Sequence, residues 1–340
     1  MKYSEKEIIG LCLEGLYKSQ HHVTPFFHVD AEPIDLNGTK LLVNVDEFSE
    51  EDHFRDIQPY SLGWNVAVGT ISDILASGGM PIVYLHSLGI NKKWDKNYLK
   101  SFIKGISDLL GKYDTGFGGG DLAESEKWHY TGICIGKQFT ELSRMGCKPG
   151  DIIYFTGYVG SGNLEACLKM YGNNHMIAPL MNHYPIRFRP RKNEAEIIHR
   201  YASACIDTSD GLLNGLMEIS NLNQTGFEVE KLPYIRQALP VFKVLGKPVE
   251  LLMICECGEY ELLFTIPAEK DELFRKAVAQ NSESIHKIGI VREPDKKCLV
   301  TKTHRIDFSE FKFSARSFAN ISEYLEQISL YLREHAYNYG

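Results

Sequence analysis

Along residues 97–113 the apolar positions Leu99, Phe102, Ile103, Ile106, Leu109, Leu110 and Tyr113 recur at three- and four-residue steps. That spacing puts them on one face and predicts an amphipathic helix. Helices are also predicted over 5–18, 193–204, 211–222, 268–280 and 318–335. "SLGWNVAVGTISDILASGGMP" predicts a largely apolar helix, interrupted near Gly69, that must end by Gly78, Gly79 and Pro81, with a strand after it. The alternation in "WHYTGICIG" and the β-branched or apolar runs "KLLVNVDEF", "DIIYFTG" and "YELLFTIP" predict strands. Between helix 97–113 and "WHYTGICIG" lies a glycine cluster, "DTGFGGGD", running into Asp121.

Strands and helices alternate, so an α/β or α+β protein is expected, in two halves. The turn-rich connector "RMGCKPGD" separates them into an N-terminal domain over 1–145 and a C-terminal α/β domain over 146–340. At 340 residues, each is long enough to bury its own core. Composition is that of a globular protein, 44% apolar and 24% charged. Charge excludes more: a net −7, with acids spread throughout, offers neither a basic nucleic-acid face nor a polybasic membrane patch. The N-terminal "MKYSEKEIIGLCLEGLYK" lacks the apolar core of a secretory signal and no segment reaches the length of a membrane span, so a cytoplasmic protein is expected. The eight cysteines lie mostly inside apolar runs, where a reduced thiol behaves as a small hydrophobe. Cys255 and Cys257 form a CxC without a second pair at zinc spacing.

No GxxxxGK[ST] occurs, which excludes a Walker-type loop. "GYVGSG" has the glycine order of the dinucleotide fingerprint reversed and reads as a tight strand-to-helix turn. The aspartates are more informative. Asp46, Asp73, Asp121 and Asp210 each close an apolar or glycine-rich segment, where a strand end or loop presents a carboxylate at a sheet's edge. Carboxylates that converge repel one another and persist together only with a cation. Oxygen-only ligands suit Mg²⁺, which keeps waters and substrate phosphates in its other positions. From spacing alone, Asp73 and Asp210 are better explained as helix caps, a role worth about 1 kcal/mol.

In order along the chain stand "NVDEFSEEDHF", "ISDILASGGMP", "GGGD", "RMGCKPGDIIYFTG", "RPR", "IDTSDGL" and "GEYELLFT". With these motifs the chain, over about residues 28–267, resembles the thiamine-monophosphate kinase family of the aminoimidazole ribonucleotide (AIR) synthetase-like superfamily. The family's counterparts are roughly STDTL…HF, LSDIAAMGA.P, GGDT, R.GA.PGD.IYVTG, P.PR, IDLSDGL and GGEDYELLFT. The resemblance implies a two-domain fold whose N-terminal domains pair in a homodimer, their strands building a shared β-barrel. It implies ATP in a cleft lined by aspartates that hold Mg²⁺, and direct in-line transfer of a phosphoryl group to a small phosphorylated substrate. By motif, Asp30, Asp46, Asp73, Asp121 and Asp210 take metal positions. Gly119 and Gly120 lie beside Asp121 in the nucleotide motif, and Arg144 matches an arginine near the ATP phosphates. His53, Arg191 and Glu259 match substrate-side positions.

The chain departs from the family at several motifs. GDDAA becomes "HVDAE", leaving Val29 for one acid; GGDT becomes "GGDL", with Leu122 for a hydroxyl. Gly215 stands where the family often adds an aspartate, and GGED becomes "ECGE", with Glu259 for the final Asp and Cys257 for a glycine. Three readings follow: a thiamine-phosphate kinase, an AIR synthetase-related ATP-binding protein acting on another small metabolite, and a non-catalytic nucleotide-binding homologue.

Overall fold

In the computed structural model, which describes residues 5–50, 58–173, 175–177, 186–281 and 284–338, each half of the chain builds its own sheet. Strands β1 (Glu32–Leu36), β2 (Thr39–Ser49), β3 (Gly79–Asn91), β4 (Gly116–Ser125) and β5 (His129–Gln138) form the first, in the order β1-β2-β5-β3-β4. β3 and β4 run parallel and the other neighbours antiparallel. Helix α1 (Glu5–Gly15) precedes this sheet, and α2 (Pro59–Ala76) and α3 (Lys96–Tyr113) belong to it.

Strand alternation sorts the first sheet into two faces. Asn44, Cys134 and Tyr84 pair across β2, β5 and β3 and are buried. Their face meets α2, since Asn44 Nδ2 donates to the Thr70 carbonyl at 3.0 Å. The residues between them, Val43 and Val45, Ile133 and Ile135, and Val83 and Leu85, therefore share the opposite face, where Val45 is exposed and the others are half-buried. α2 itself is apolar nearly all round and buried on all sides, as such a helix must be. It lies close against α3 because two glycines permit it. A Cβ on Gly63 would stand 2.0 Å from the Phe102 carbonyl oxygen, and one on Gly105 2.1 Å from that of Tyr60.

The second half contributes β6 (Ile152–Thr156), α4 (Ser161–Met170), α5 (Lys192–Tyr201), β7 (Ala204–Asp207), α6 (Leu212–Asn223), β8 (Gly226–Glu230), α7 (Ala238–Val244), α8 (Leu251–Ile254), β9 (Leu262–Ile266), α9 (Asp271–Asn281), β10 (Ile285–Arg292), β11 (Lys297–Val300), β12 (His304–Asp307), α10 (Ile321–His335) and β13 (Ala336–Asn338). Its strands follow the order β13-β12-β11-β8-β10-β6-β9-β7. β6 and β9 are buried at every position, the pattern of central strands covered on both faces.

α2 joins the halves. Trp64 Nε1 donates to the Phe188 carbonyl at 2.8 Å, and Asn65 exchanges hydrogen bonds with Ile186 and Phe188. The Leu75 carbonyl lies 2.7 Å from His199 Nε2 of α5. One apolar core runs from Leu62, Ile71 and Ile74 of α2 into Ile198 and Phe264 of the second half.

Several expectations shift. Helix α2 is continuous, with Gly69 there because a Cβ would lie 2.7 Å from Phe48 Cζ. The glycine cluster is a strand, β4, rather than a loop. The predicted 268–280 helix begins as a 3₁₀ turn at Ala268–Lys270, and the C-terminal helix ends in β13. Gly157 and Gly160, both at positive φ, form the strand-to-helix turn read from "GYVGSG". Among the described residues no helix is long and apolar enough to cross a membrane.

Candidate active site

A cavity of about 1560 Å³ opens where the two halves meet. Carboxylates reach it from four directions: Asp30 before β1, Asp46 on β2, Asp73 in the last turn of α2, and Asp207 with Asp210 at the end of β7 and just beyond. Carboxylate oxygens of Asp30, Asp73 and Asp207 all lie within 4.8 Å of one another.

Such crowding is costly, and it shows in the proton affinities. Burial pushes Asp46 up to about 6, against the pull of Asn44 Nδ2, which donates to Asp46 Oδ2 at 2.8 Å. Asp207 rises to about 7, through burial and then the charge of Asp30, with Ser72 opposing. Asp73 is held well above the usual carboxylate range by burial and by Asp46, Asp207 and Asp30. Its place in the last turn of a helix adds the negative end of the helix dipole to that repulsion. Burial likewise raises Asp30, and Arg144 resists it. Arg144 Nε and Nη2 lie 2.8 and 2.5 Å from Asp30 Oδ1.

Neither helix cap read from spacing is present. The N-cap of α2 is Gln58 and that of α6 is Gly211, at φ 84° and without a side-chain cap bond. Asp73 and Asp210 both line the cavity. An all-oxygen set of close carboxylates, half-buried at Asp30 and Asp73 and buried at Asp207, fits Mg²⁺, since a divalent cation relieves the repulsion that burial amplifies.

Asp207, which no motif singled out, completes the tight trio. Asp121 does not join it: with Gly119 and Gly120 it lies on β4, exposed, paired with Ser87 of β3 and outside the cavity of its own chain. Arg191 is corrected on physical grounds. It is 5% exposed, makes a two-pronged ion pair with Glu261 and reaches Glu194 at 2.8 Å, away from the cavity. A guanidinium so enclosed would leave two buried carboxylates uncompensated if it turned to a substrate. Glu259 is also buried and off the cavity, its Oε2 accepting the Gly160 N–H at 3.0 Å. His53 lies outside the described residues.

Comparison with known proteins bears on the family and the fold. Residues 28–138 match the family described as AIR synthase related protein, N-terminal domain, and residues 148–301 its C-terminal domain. The thiamine-monophosphate kinase of Bacillus subtilis (strain 168) is 30% identical over 279 residues, 78% of this chain and 85% of that protein. That of Pyrococcus abyssi is 31% identical over 246 residues, 72% and 77% of the two chains. Among solved structures, AaThiL complexed with AMPPCP and TMP superposes with a TM-score of 0.71 at 24% identity, covering 86% of this chain and 91% of that one. Escherichia coli HypE, a hydrogenase maturation protein, reaches 0.63 at 14% identity, covering 87% and 94%. At these identities the structural matches speak for the fold alone.

Proposed function

The chain belongs to the thiamine-monophosphate kinase family, within the AIR synthase related proteins, and on that premise we propose that its aspartate-lined cavity is where ATP phosphorylates thiamine phosphate. The protein is an ATP- and Mg²⁺-dependent phosphotransferase, yielding thiamine diphosphate and ADP by direct in-line transfer. One observation carries the assignment of the site: Asp30, Asp73 and Asp207, brought from both halves of the fold, converge within 4.8 Å.

Asp30, Asp73 and Asp207 would hold Mg²⁺, with Asp46 and Asp210 beside them. The bound cation neutralises charge on the phosphate oxygens and keeps donor and acceptor in line. Arg144 fixes Asp30 by two hydrogen bonds and lies at the cavity wall, placed to meet a phosphate oxygen as well. The acceptor is a phosphate, largely ionised near neutral pH, so no side chain has to take its proton. His53 is retained as a substrate-side residue on its motif alone.

The same reading includes the division into domains 1–145 and 146–340, supported by the two separate sheets, and a homodimer. Val43, Val45, Ile133, Ile135, Val83 and Leu85 give the first sheet an apolar face that a second copy would cover. Val43 and Val45 also border the cavity. Pairing of copies there would give Gly119 and the exposed Gly120 and Asp121 a place at a site shared between chains.

A coupled assay for ADP release tests the function. ADP formed in proportion to thiamine phosphate, and only with Mg²⁺, is the expected result. ADP at background with thiamine phosphate and with a panel of other phosphorylated metabolites, from a protein that still binds Mg-ATP, would establish a non-catalytic nucleotide-binding protein instead.

A further inference from the structure

Phe27 has a backbone conformation that its residue type disfavours. Its φ is 65°, in the left-handed region, where a Cβ-bearing residue gives up roughly 1–2 kcal/mol. Two groups hold it there. Its N–H donates to Glu32 Oε1 at 3.3 Å, and its carbonyl accepts from Arg144 Nη1 at 3.5 Å. Each of those groups is anchored in turn, Glu32 Oε2 lying 2.6 Å from His22 Nε2 and Arg144 on Asp30. The ring presented this way is 40% exposed and borders the cavity. Its neighbour Phe26, by contrast, is stacked on His22 with centroids 4.2 Å apart. Backbone strain and an exposed aromatic ring at one residue are both unfavourable to folding, and strain fixed by surrounding contacts is characteristic of ligand-binding positions.

We propose that Phe27 is a stacking surface for the planar heteroaromatic ring of a phosphate-bearing substrate, whose phosphate end lies at the aspartates. The proposal rests on the kinase reading above. Phe27 is three residues from Asp30 and shares Arg144 with it, so ring and carboxylates stand on one wall, at most about 10 Å of chain apart. An aromatic ring and its phosphate span such a distance through a sugar or a short alkyl linker. Both substrates of the reaction carry such a ring, the adenine of ATP and the linked pyrimidine and thiazolium of thiamine phosphate.

Phe27→Gly separates the ring from its backbone, because glycine adopts this φ without strain. Calorimetric titration in Mg²⁺ would compare ATP with tripolyphosphate and thiamine phosphate with inorganic phosphate. Phe27→Gly is expected to weaken one ring-bearing ligand by roughly three- to tenfold, the size of an aromatic stacking contact. It should leave its ring-free counterpart unchanged and leave Tm equal or higher, and Phe27→Tyr should retain wild-type affinity. The ligand that loses affinity identifies whose ring is read. Unchanged binding of both ring-bearing ligands, an equal loss for all four ligands, or a Tm several degrees lower in Phe27→Gly would overturn the proposal. Ring-dependent binding lost in Phe27→Gly, in a protein that turns over no thiamine phosphate, would support the stacking surface and count against the kinase reading alone.

Discussion

Ser72 Oγ donates to Asp207 Oδ2 across 2.5 Å and ties the C-terminal end of α2 to the end of β7. The Gly69 carbonyl is also within reach, at 2.7 Å, but the hydroxyl has one proton and the charged acceptor binds it more strongly. That bond lowers the proton affinity of Asp207, which burial and Asp30 hold at about 7 in spite of it. In Ser72→Ala the carboxylate would bind its proton more tightly, and a metal would have to displace it. Mg²⁺ affinity at pH 7 is expected to fall about tenfold, the low end for a hydrogen bond to a charged group. The deficit should shrink at pH 8.5. Calorimetric Mg²⁺ titration of both proteins at the two pH values checks this; equal affinities at pH 7 would remove Ser72 from any positioning role.

Asp210→Asn should abolish Mg-ATP binding while Tm stays within a degree or two of wild type. The stability half of that expectation comes from the amide, which is nearly isosteric with the carboxylate and serves equally well beside a helix start. Titration with Mg-ATP and a thermal melt are sufficient; unchanged affinity would take Asp210 out of the metal site.

The metal-free protein should lose stability as pH rises. Asp46 and Asp207 have folded proton affinities of about 6 and about 7, and Asp73 lies well above its ordinary value. A raised folded value stabilises below the unfolded one, near 3.9, and that contribution is lost as pH climbs through 6 and 7. In EDTA, Tm is therefore expected to drop between pH 5 and 8, and Mg²⁺ to restore it more at pH 8 than at pH 5. Asp73→Asn removes one crowded charge, so its metal-free Tm at pH 8 should rise by on the order of 2–4 °C while the response to Mg²⁺ disappears. A metal-free wild type whose Tm is flat over this range would show that the carboxylates do not repel as described.

What could be read in advance, and what could not, follows from where the information lies. Helices α2 and α3 and strands β2, β5, β6 and β9 carry their burial in their own periodicity. β4 does not, because its glycines disfavour a strand by propensity; they are needed there since a Cβ on Gly118 would stand 2.6 Å from Val83 Cγ1 and one on Gly120 2.2 Å from the His86 carbonyl oxygen. Asp30, Asp46, Asp73 and Asp210, singled out by motif, all line one cavity. Asp207 was not singled out, since an aspartate ending a buried strand gives no sign of facing Asp30 and Asp73 from the other half of the chain. Arg191 misled for the same reason, its partner Glu261 standing 70 positions away.

A buried histidine sets an acid limit of a different kind. Burial lowers the proton affinity of His199 below its ordinary value, despite the Leu75 carbonyl at 2.7 Å. A depressed folded value means that this stability is fully present above the unfolded value, near 6.5, and is lost as pH falls below it. His199→Gln keeps an N–H for the carbonyl and cannot be protonated. Its Tm in Mg²⁺ should therefore fall less steeply between pH 7 and 5 than that of the wild type. Parallel slopes would place the acid sensitivity elsewhere.

The half-exposed apolar face of the first sheet makes oligomeric state a test of the shared site. Ile133 and Ile135 lie at its centre, paired with Val45 and Val43 on one side and with Leu85 and Val83 on the other. Neither isoleucine borders the cavity, so a change there reaches the reaction only through the assembly. In a dimer, a lysine at either position would bury an unpaired ammonium, a penalty of several kcal/mol, while in a monomer it faces water. Wild-type protein is expected to sediment at twice the chain mass of 38.6 kDa, and Ile133→Lys at that mass itself. If Asp121 of one copy serves the cavity of the other, Ile133→Lys loses ADP formation but keeps its thermal stability, and raising its concentration partly restores activity. A dimeric Ile133→Lys would move the interface elsewhere. A monomeric, fully active one would mean that each chain completes its own site, leaving Asp121 without a part in it.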